Sequence, residues 1–337
     1  MVLALTASPY ADKQRYEELL ANLKIKLVES RKGDELDVTD YSQEIESEII
    51  YFNFPSYFYD LASMIEELKK PPLHFLFSKG FIKTPNPPRK LLLALQPMIA
   101  KMNTPLKYNA LKQNAILLNV LLMHELLQTQ TVSTLKSFIE KLRSRKEETK
   151  AALDLSNNPL LREIEEKAMN LITRGLEHPK LLNLSDIVKE ATVEDNCLIF
   201  AHYRDTIQVI KRELALNGIV SQELVGQSKN GMKQKEQAQI IQDFREKKFK
   251  VLLATSIGEE GLDITNVGTV IFYDNVPSEI RLVQRRGRTA RISTGKLKIL
   301  VTKDTIDEAY LWSGKNKEKK VEKTMKNSRE EKNQRTL

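Results

Sequence analysis

Val251-Leu252-Leu253-Ala254-Thr255-Ser256-Ile257-Gly258-Glu259-Glu260-Gly261-Leu262-Asp263-Ile264 decides the fold, because an unbroken apolar run gives way at once to glycines and small polar residues. A strand that is apolar without alternation is buried on both faces, which is the condition of a parallel sheet covered by helices. Ligands of such sheets sit just beyond the carboxyl ends of the strands. Glycines there permit close approach, and hydroxyls can meet phosphate oxygens. A second run of the same kind, Thr269-Val270-Ile271-Phe272-Tyr273-Asp274, leads through Asn275-Val276-Pro277-Ser278 into a predicted helix, for which Ser278 is the expected N-cap.

That helix carries Gln284-Arg285-Arg286-Gly287-Arg288-Thr289-Ala290-Arg291, with four guanidiniums in one short segment. Arg288 and Arg291 are three apart, so on a helix they share a face and can straddle a phosphate. A run of arginines taken by itself reads as a solvated basic helix end. Placed beyond two buried parallel strands, it points instead to an anionic partner.

Working outward, residues from about Thr192 to Asp304 alternate strand and helix. The strands are expected at Leu198–Ala201, Ile219–Val225, Val251–Thr255, Thr269–Tyr273 and Leu297–Thr302, and the helices at Asp205–Asn217, Gln234–Lys248 and Ser278–Arg291. Alternation of this kind builds βαβ units and a parallel sheet. Residues 54–191 instead carry apolar positions three and four apart, in Tyr57–Lys69, Lys90–Met102, Tyr108–Gln128, Thr131–Thr149 and Pro159–Thr173. Pro71-Pro72 and Pro85-Asn86-Pro87-Pro88 are expected to break them. This is an all-α segment. On its predicted long helix Lys136, Lys141, Arg143, Arg145, Lys146 and Lys150 could meet phosphates, or form a solvated face with Glu140, Glu147 and Glu148. Residues 1–53 read strand, helix, strand, and residues 305–337 read as a lysine-rich helix and tail.

At 337 residues with 41% hydrophobic and 29% charged residues, the chain has room for about two domains with sizeable cores. A net charge of +8 and a pI near 9.2 favour a polyanionic partner. The single cysteine, Cys197, excludes an intrachain disulfide and sits on a predicted core strand. His74, His124, His178 and His202 are scattered without the spacing of a metal site. No apolar run reaches the length of a membrane span, and no signal-peptide layout opens the sequence. A cytoplasmic location is expected.

The ordered segments resemble the second RecA-like half of superfamily 2 helicases. Thr255 to Ile264 matches motif V and Gln284 to Arg291 motif VI, while Cys197-Leu198-Ile199-Phe200-Ala201-His202-Tyr203-Arg204 resembles motif IV and Leu224-Val225-Gly226-Gln227 the segment that follows it. Within that superfamily the chain is similar to the archaeal Hef and Fanconi anaemia M helicases, a group that also holds the RIG-I-like and Dicer helicases. Leu127-Gln128-Thr129-Gln130, His178-Pro179-Lys180 and Asp307-Glu308-Ala309-Tyr310-Leu311-Trp312-Ser313 support the likeness. It implies a RecA-like α/β domain at 192–304, a helical insert at 54–191 that grips branched DNA, and an incomplete first RecA-like domain at 1–53. Val2-Leu3-Ala4-Leu5-Thr6-Ala7-Ser8-Pro9 resembles motif III of that first domain.

No G-x-x-x-x-G-K-[ST] run occurs in the sequence, nor does the family's magnesium-holding acid pair. Asp307-Glu308-Ala309-Tyr310 imitates such a pair but follows the arginine motif at a predicted helix start, and no metal ligand is expected. The resemblance therefore implies that Arg288 and Arg291 approach the γ-phosphate of ATP, Gln284 orders the cleft, and Arg285 pairs with acids of the opposite half. Gly261 and Asp263 line the nucleotide. Thr255, Ser256, Gly258, His202, Tyr203, Arg204, Gly226 and Gln227 follow the nucleic acid, and Thr6 and Ser8 couple the two. ATP and Mg2+ would be held mainly by a P-loop half expected on a separate chain. Without it no ATP hydrolysis is expected, and no nuclease motif predicts cutting of DNA. The expected function is that of the carboxyl-terminal part of an ATP-dependent helicase on forked, branched or single-stranded DNA. The alternatives are a non-catalytic nucleic-acid-binding module and an RNA-directed member of the same group.

Overall fold

The computed structural model of the chain describes residues 13–25, 46–225, 232–255, 267–274 and 296–313. Two compact units emerge, one gathering residues up to Phe52 with Asn183–Lys303 and Asp307 onward, the other Asn53–Leu182 with Asp304–Ile306.

In the first unit, β1 (Glu46–Phe52), β2 (Cys197–Phe200), β3 (Ser221–Leu224), β4 (Val251–Ala254), β5 (Thr269–Phe272) and β6 (Lys296–Thr302) form one sheet in the order β1-β6-β5-β2-β4-β3. All five pairings are parallel. The apolar pattern explains the order. The central strands β2, β4 and β5 are buried at every position, whereas β3 and β1 carry exposed polar residues and occupy the two edges. Leu198, Phe200, Leu252, Val270, Phe272 and Phe244 build the core between sheet and helices. Two of the three helices expected here are present as α10 (Arg204–Leu216) and α11 (Gln234–Arg245), and the third, Ser278–Arg291, lies outside the described residues.

Strand β1 falls within the residues that the sequence reading set apart as 1–53, yet it lies beside β6 in this sheet. The tie is partly electrostatic. Lys298 of β6 is directly opposite Glu48 of β1 and nearly buried, and its Nζ lies 3.3 Å from that carboxylate and 3.0 Å from Glu190. Glu190 belongs to α9 (Leu184–Ala191), which packs on α10. Burial works against the Lys298 charge, but hydrogen bonds to Glu190 and Glu48 outweigh it and raise its pKa. Helix α1 (Lys13–Asn22) covers the described part of the first helix expected. Residues 1–12 and 26–45 of that strand-helix-strand segment lie outside the described ones.

The second unit is helical: α2 (Tyr59–Ser78), α3 (Arg89–Lys101), α4 (Lys107–Thr129), α5 (Val132–Ser144), α6 (Lys150–Ser156), α7 (Pro159–Thr173) and α8 (Pro179–Leu182). Helix α4 is the axle, touching α2, α3, α5 and α6. Two expectations are corrected here. Pro71 and Pro72 do not break α2, which runs through both. Two lost backbone bonds cost roughly 3 kcal/mol or more. Leu68, Pro72 and Leu76, four apart and buried on one face, supply the packing that offsets them. The single helix expected over 131–149 ends at Ser144, and α6 starts anew where the Thr149 hydroxyl accepts from Ala152 N at 3.1 Å.

Gly268, just before β5, has no room for a side chain: a Cβ there would lie 2.6 Å from the Cβ of Asp195. Gly268→Ala is expected to lower stability by about 1–3 kcal/mol, read from the denaturant midpoint, and Asp195→Gly in the same chain should recover part of the loss. An unchanged midpoint for the single variant would show that the turn yields freely.

Candidate functional site

The functional rim is built by strand register. Phe200 is level with Ala254 on one side and with Phe272 on the other, so β2, β4 and β5 end at one height. The chain therefore leaves the sheet at three neighbouring points, after Ala201, at Thr255 and at Asp274. The motif IV match ends just past the first of these points and the motif V match begins at the second; residues 275–295, which hold the motif VI match, lie outside the described residues. Ala201 N donates to Ala254 O at 3.1 Å and Tyr273 N to Phe200 O at 2.9 Å, which carries the ladder to the rim.

Asp274 is 3% exposed, and its Oδ2 accepts from His202 N at 2.9 Å. This carboxylate holds the turn between β2 and α10 and was not among the sequence-expected site residues. The signal that could have found it is a lone acid closing an otherwise apolar buried strand. His202 and Tyr203 are half-buried and meet edge to face, with centroids 4.7 Å apart and planes at 84°. Tyr203 is the N-cap of α10 and makes no side-chain capping bond, and Arg204 is the first helical residue. The helix N-terminus is positive and opens at the rim, although Asp205 in its first turn offsets part of that field.

Thr255 corrects one detail. It is 4% exposed, and its Oγ1 is buried without a hydrogen-bond partner among the described residues. The hydroxyl does not stand open on the surface. His202 likewise offers its ring and not its backbone N–H, which Asp274 already occupies.

Of the expected residues, the structure brings together Thr255, His202, Tyr203 and Arg204. Thr6, Ser8, Gly226, Gln227, Ser256, Gly258, Gly261, Asp263, Gln284, Arg285, Arg288 and Arg291 lie outside the described residues. Among the described residues no three His, Cys, Asp or Glu converge as a metal site, and no helix is long and apolar enough to cross a membrane. Asp307 is fully buried and accepts from Thr302 N at 3.0 Å, a structural use of the carboxylate.

In the helical unit the two supporting runs meet. His178 is wholly buried, with Nε2 3.2 Å from Gln128 O and Nδ1 accepting from Lys180 N at 3.2 Å. That pattern requires a neutral ring protonated on Nε2. Burial, and then the Lys180 charge, push its pKa well below the ordinary range. Glu177 accepts from Val132 N at 2.8 Å and Ser133 N at 3.0 Å, capping α5 from a distance of 45 residues along the chain. The basic residues expected on one long helix are split between α5, α6 and the turn joining them. Lys136 pairs with Glu140, and Arg143 pairs with Glu165 at 2.9 Å.

Comparison with known proteins gives four findings. Residues 179–293 match the Helicase conserved C-terminal domain. The Pyrococcus furiosus Hef helicase domain superposes with a TM-score of 0.71 at 35% identity, covering 92% of this chain and 66% of that one. The chain is also 36% identical over 97% of its length to a Methanocaldococcus jannaschii protein described as an ATP-dependent RNA helicase, covering 42% of it. It is 30% identical over 94% of its length to the ATP-dependent DNA helicase MPH1 of Pyricularia oryzae, covering 31% of that protein. The chain belongs to the superfamily 2 helicases of the Hef and Fanconi anaemia M type. Its six-stranded parallel sheet is the RecA-like α/β fold of the helicase carboxyl-terminal region. It spans less than half the length of the curated relatives it matches.

Because His178 is neutral when folded, its burial contributes stability that is complete above the ordinary histidine pKa of about 6.5 and is lost as pH falls below it. His124 shifts in the same direction, chiefly through burial. The denaturant midpoint should therefore fall between about pH 7.5 and pH 5.5, and fall less steeply in His178→Gln. Equal slopes in the two proteins would refute this role.

Proposed function

We propose that the chain supplies the arginine-bearing half of an ATP site and part of a nucleic-acid track in a helicase that acts on forked or branched DNA. The observation that carries this reading is the shared height at which β2, β4 and β5 end, because the chain then leaves the sheet after Ala201, at Thr255 and at Asp274 along one edge, toward the motif matches in the sequence. The donor set fits a polyphosphate in part. Arg288 and Arg291 bring cations suited to a γ-phosphate, Gln284 and Arg285 bring further donors, and Gly261 allows close approach. Magnesium is another matter: the sequence has no P-loop and no matching acid pair, so a P-loop half must hold it, whether joined to these residues or on a separate chain.

In this reading Arg288 and Arg291 place positive charge where negative charge grows during phosphoryl transfer, an effect worth roughly 10³ to 10⁵ in rate. Arg285 pairs with acids across the cleft, and Asp263 lines the nucleotide. Thr255, Ser256 and Gly258, with His202, Tyr203, Arg204, Gly226 and Gln227, hold phosphates of the strand, which position it without reading sequence. Thr6 and Ser8 link nucleotide state to grip. A pure binding module would have no use for the arginine pair.

DNA is favoured by the description of the fungal relative, while that of the Methanocaldococcus jannaschii relative supports RNA as the second reading. Competition between forked DNA and duplex RNA for the chain separates them. The main test is ATP hydrolysis on forked DNA in the presence of a RecA-like half bearing a P-loop. Arg288→Ala should reduce the rate by roughly 10³ and leave DNA binding unchanged. Hydrolysis at full rate in that variant would remove Arg288 from the site.

A further inference from the structure

Helix α3 carries an apolar stripe that nothing in its own unit covers. Its inner face, Leu92, Leu95 and Ile99, is buried against the neighbouring helices. Leu91, Met98 and Met102 are 42%, 61% and 41% exposed. At about 100° per residue these three, the last of them the C-cap, span roughly 40° around the helix, so they form a second line beside the buried one. Lys90 and Lys101, about three turns apart, flank that line on its outer side. Neither lysine has a carboxylate partner among the described residues. Their surroundings have an unusual composition: the 57 residues from Leu68 to His124 contain nine lysines and arginines and no aspartate or glutamate.

We propose that this face of α3 is a docking surface for an acidic amphipathic helix of a partner protein. Such a helix lays leucine-like side chains on Leu91, Met98 and Met102 and sets carboxylates against Lys90 and Lys101. Charge complementarity calls for an anion, and the stripe distinguishes between anions. Phosphates would engage the lysines but leave three aliphatic side chains wet, and bases stack on aromatic planes rather than on leucine and methionine. Unbranched methionines adapt to the apolar face of a helix, a common mode of peptide recognition.

The test uses the full chain and a fluorescent designed peptide, helical, with leucines along one face and glutamates along the other. Its controls are a scrambled peptide of the same composition and a single-stranded oligonucleotide. The amphipathic peptide should bind at least tenfold more tightly than the scrambled one. Leu91→Ser with Met98→Ser should weaken it at least tenfold while oligonucleotide binding holds, and Lys90→Glu with Lys101→Glu should also weaken it. Leu93→Ser, which alters an exposed leucine on another side of the same helix, should leave peptide binding intact and controls for folding. Equal binding of both peptides, or indifference to the stripe substitutions, overturns the proposal. So does a parallel loss of oligonucleotide binding, which would assign the face to nucleic acid.

Discussion

The in-phase pairing of β4, β2 and β5 is the constraint on which the rest depends. Each is a strand of four buried residues, so a slip of one position would turn its side chains to the opposite layers and shift its end by one residue. Asn196 fixes the phase at the amino end: its carbonyl accepts from Gly268 N at 3.0 Å and Thr269 N at 3.2 Å, and its Nδ2 donates to Phe244 O at 2.9 Å. Asp274 fixes it at the carboxyl end through His202 N. These two clamps hold β2 and β5 in phase, and Cys197 N to Lys250 O at 2.7 Å and Ala201 N to Ala254 O at 3.1 Å do the same for β2 and β4.

Most of this was legible in the sequence where apolar pattern alone decides structure. The runs at 197–200, 251–254 and 269–272 have no charged residue to contest burial, only the Thr269 hydroxyl at the start of one of them, and they became the centre of the sheet. The partners of edge strands were less legible. Glu46–Phe52 is mixed in character, and its place beside β6 depends on Glu48 meeting Lys298, a contact between residues 250 positions apart. The prolines of α2 misled for a related reason. Local propensity says stop, while the burial of Leu68, Pro72 and Leu76 against other helices says continue, and only the tertiary term is large enough to win. At the rim, the family resemblance named Thr255, His202, Tyr203 and Arg204. It could not foresee that Asp274 takes the His202 N–H or that the Thr255 hydroxyl is buried.

The helical unit is fixed by polar groups as much as by its apolar contacts. A buried carboxylate is costly unless it is hydrogen-bonded. Glu177 meets that condition with the free N–H groups of α5, where the helix dipole also favours negative charge. His178, next in sequence, stays neutral because both ring nitrogens are already engaged with backbone groups. The two adjacent residues thus tie α5 and the end of α4 to the segment that opens α8, and the network leaves little tolerance for protonation.

At the rim, backbone groups are engaged by the fold itself. The His202 N–H belongs to Asp274, the Thr255 N–H leans toward Leu224 O at 3.4 Å, and the Tyr203 side chain does not cap its own helix. Beside them stand an edge-to-face ring pair, the opening turn of α10 and the buried Thr255 hydroxyl, which has no hydrogen-bond partner among the described residues. Groups held in place before a strand arrives lose little entropy on binding it. On the proposed reading, such a rim would hold a strand firmly by its phosphates without distinguishing sequence. A motor that must release and re-grip at every step requires that combination.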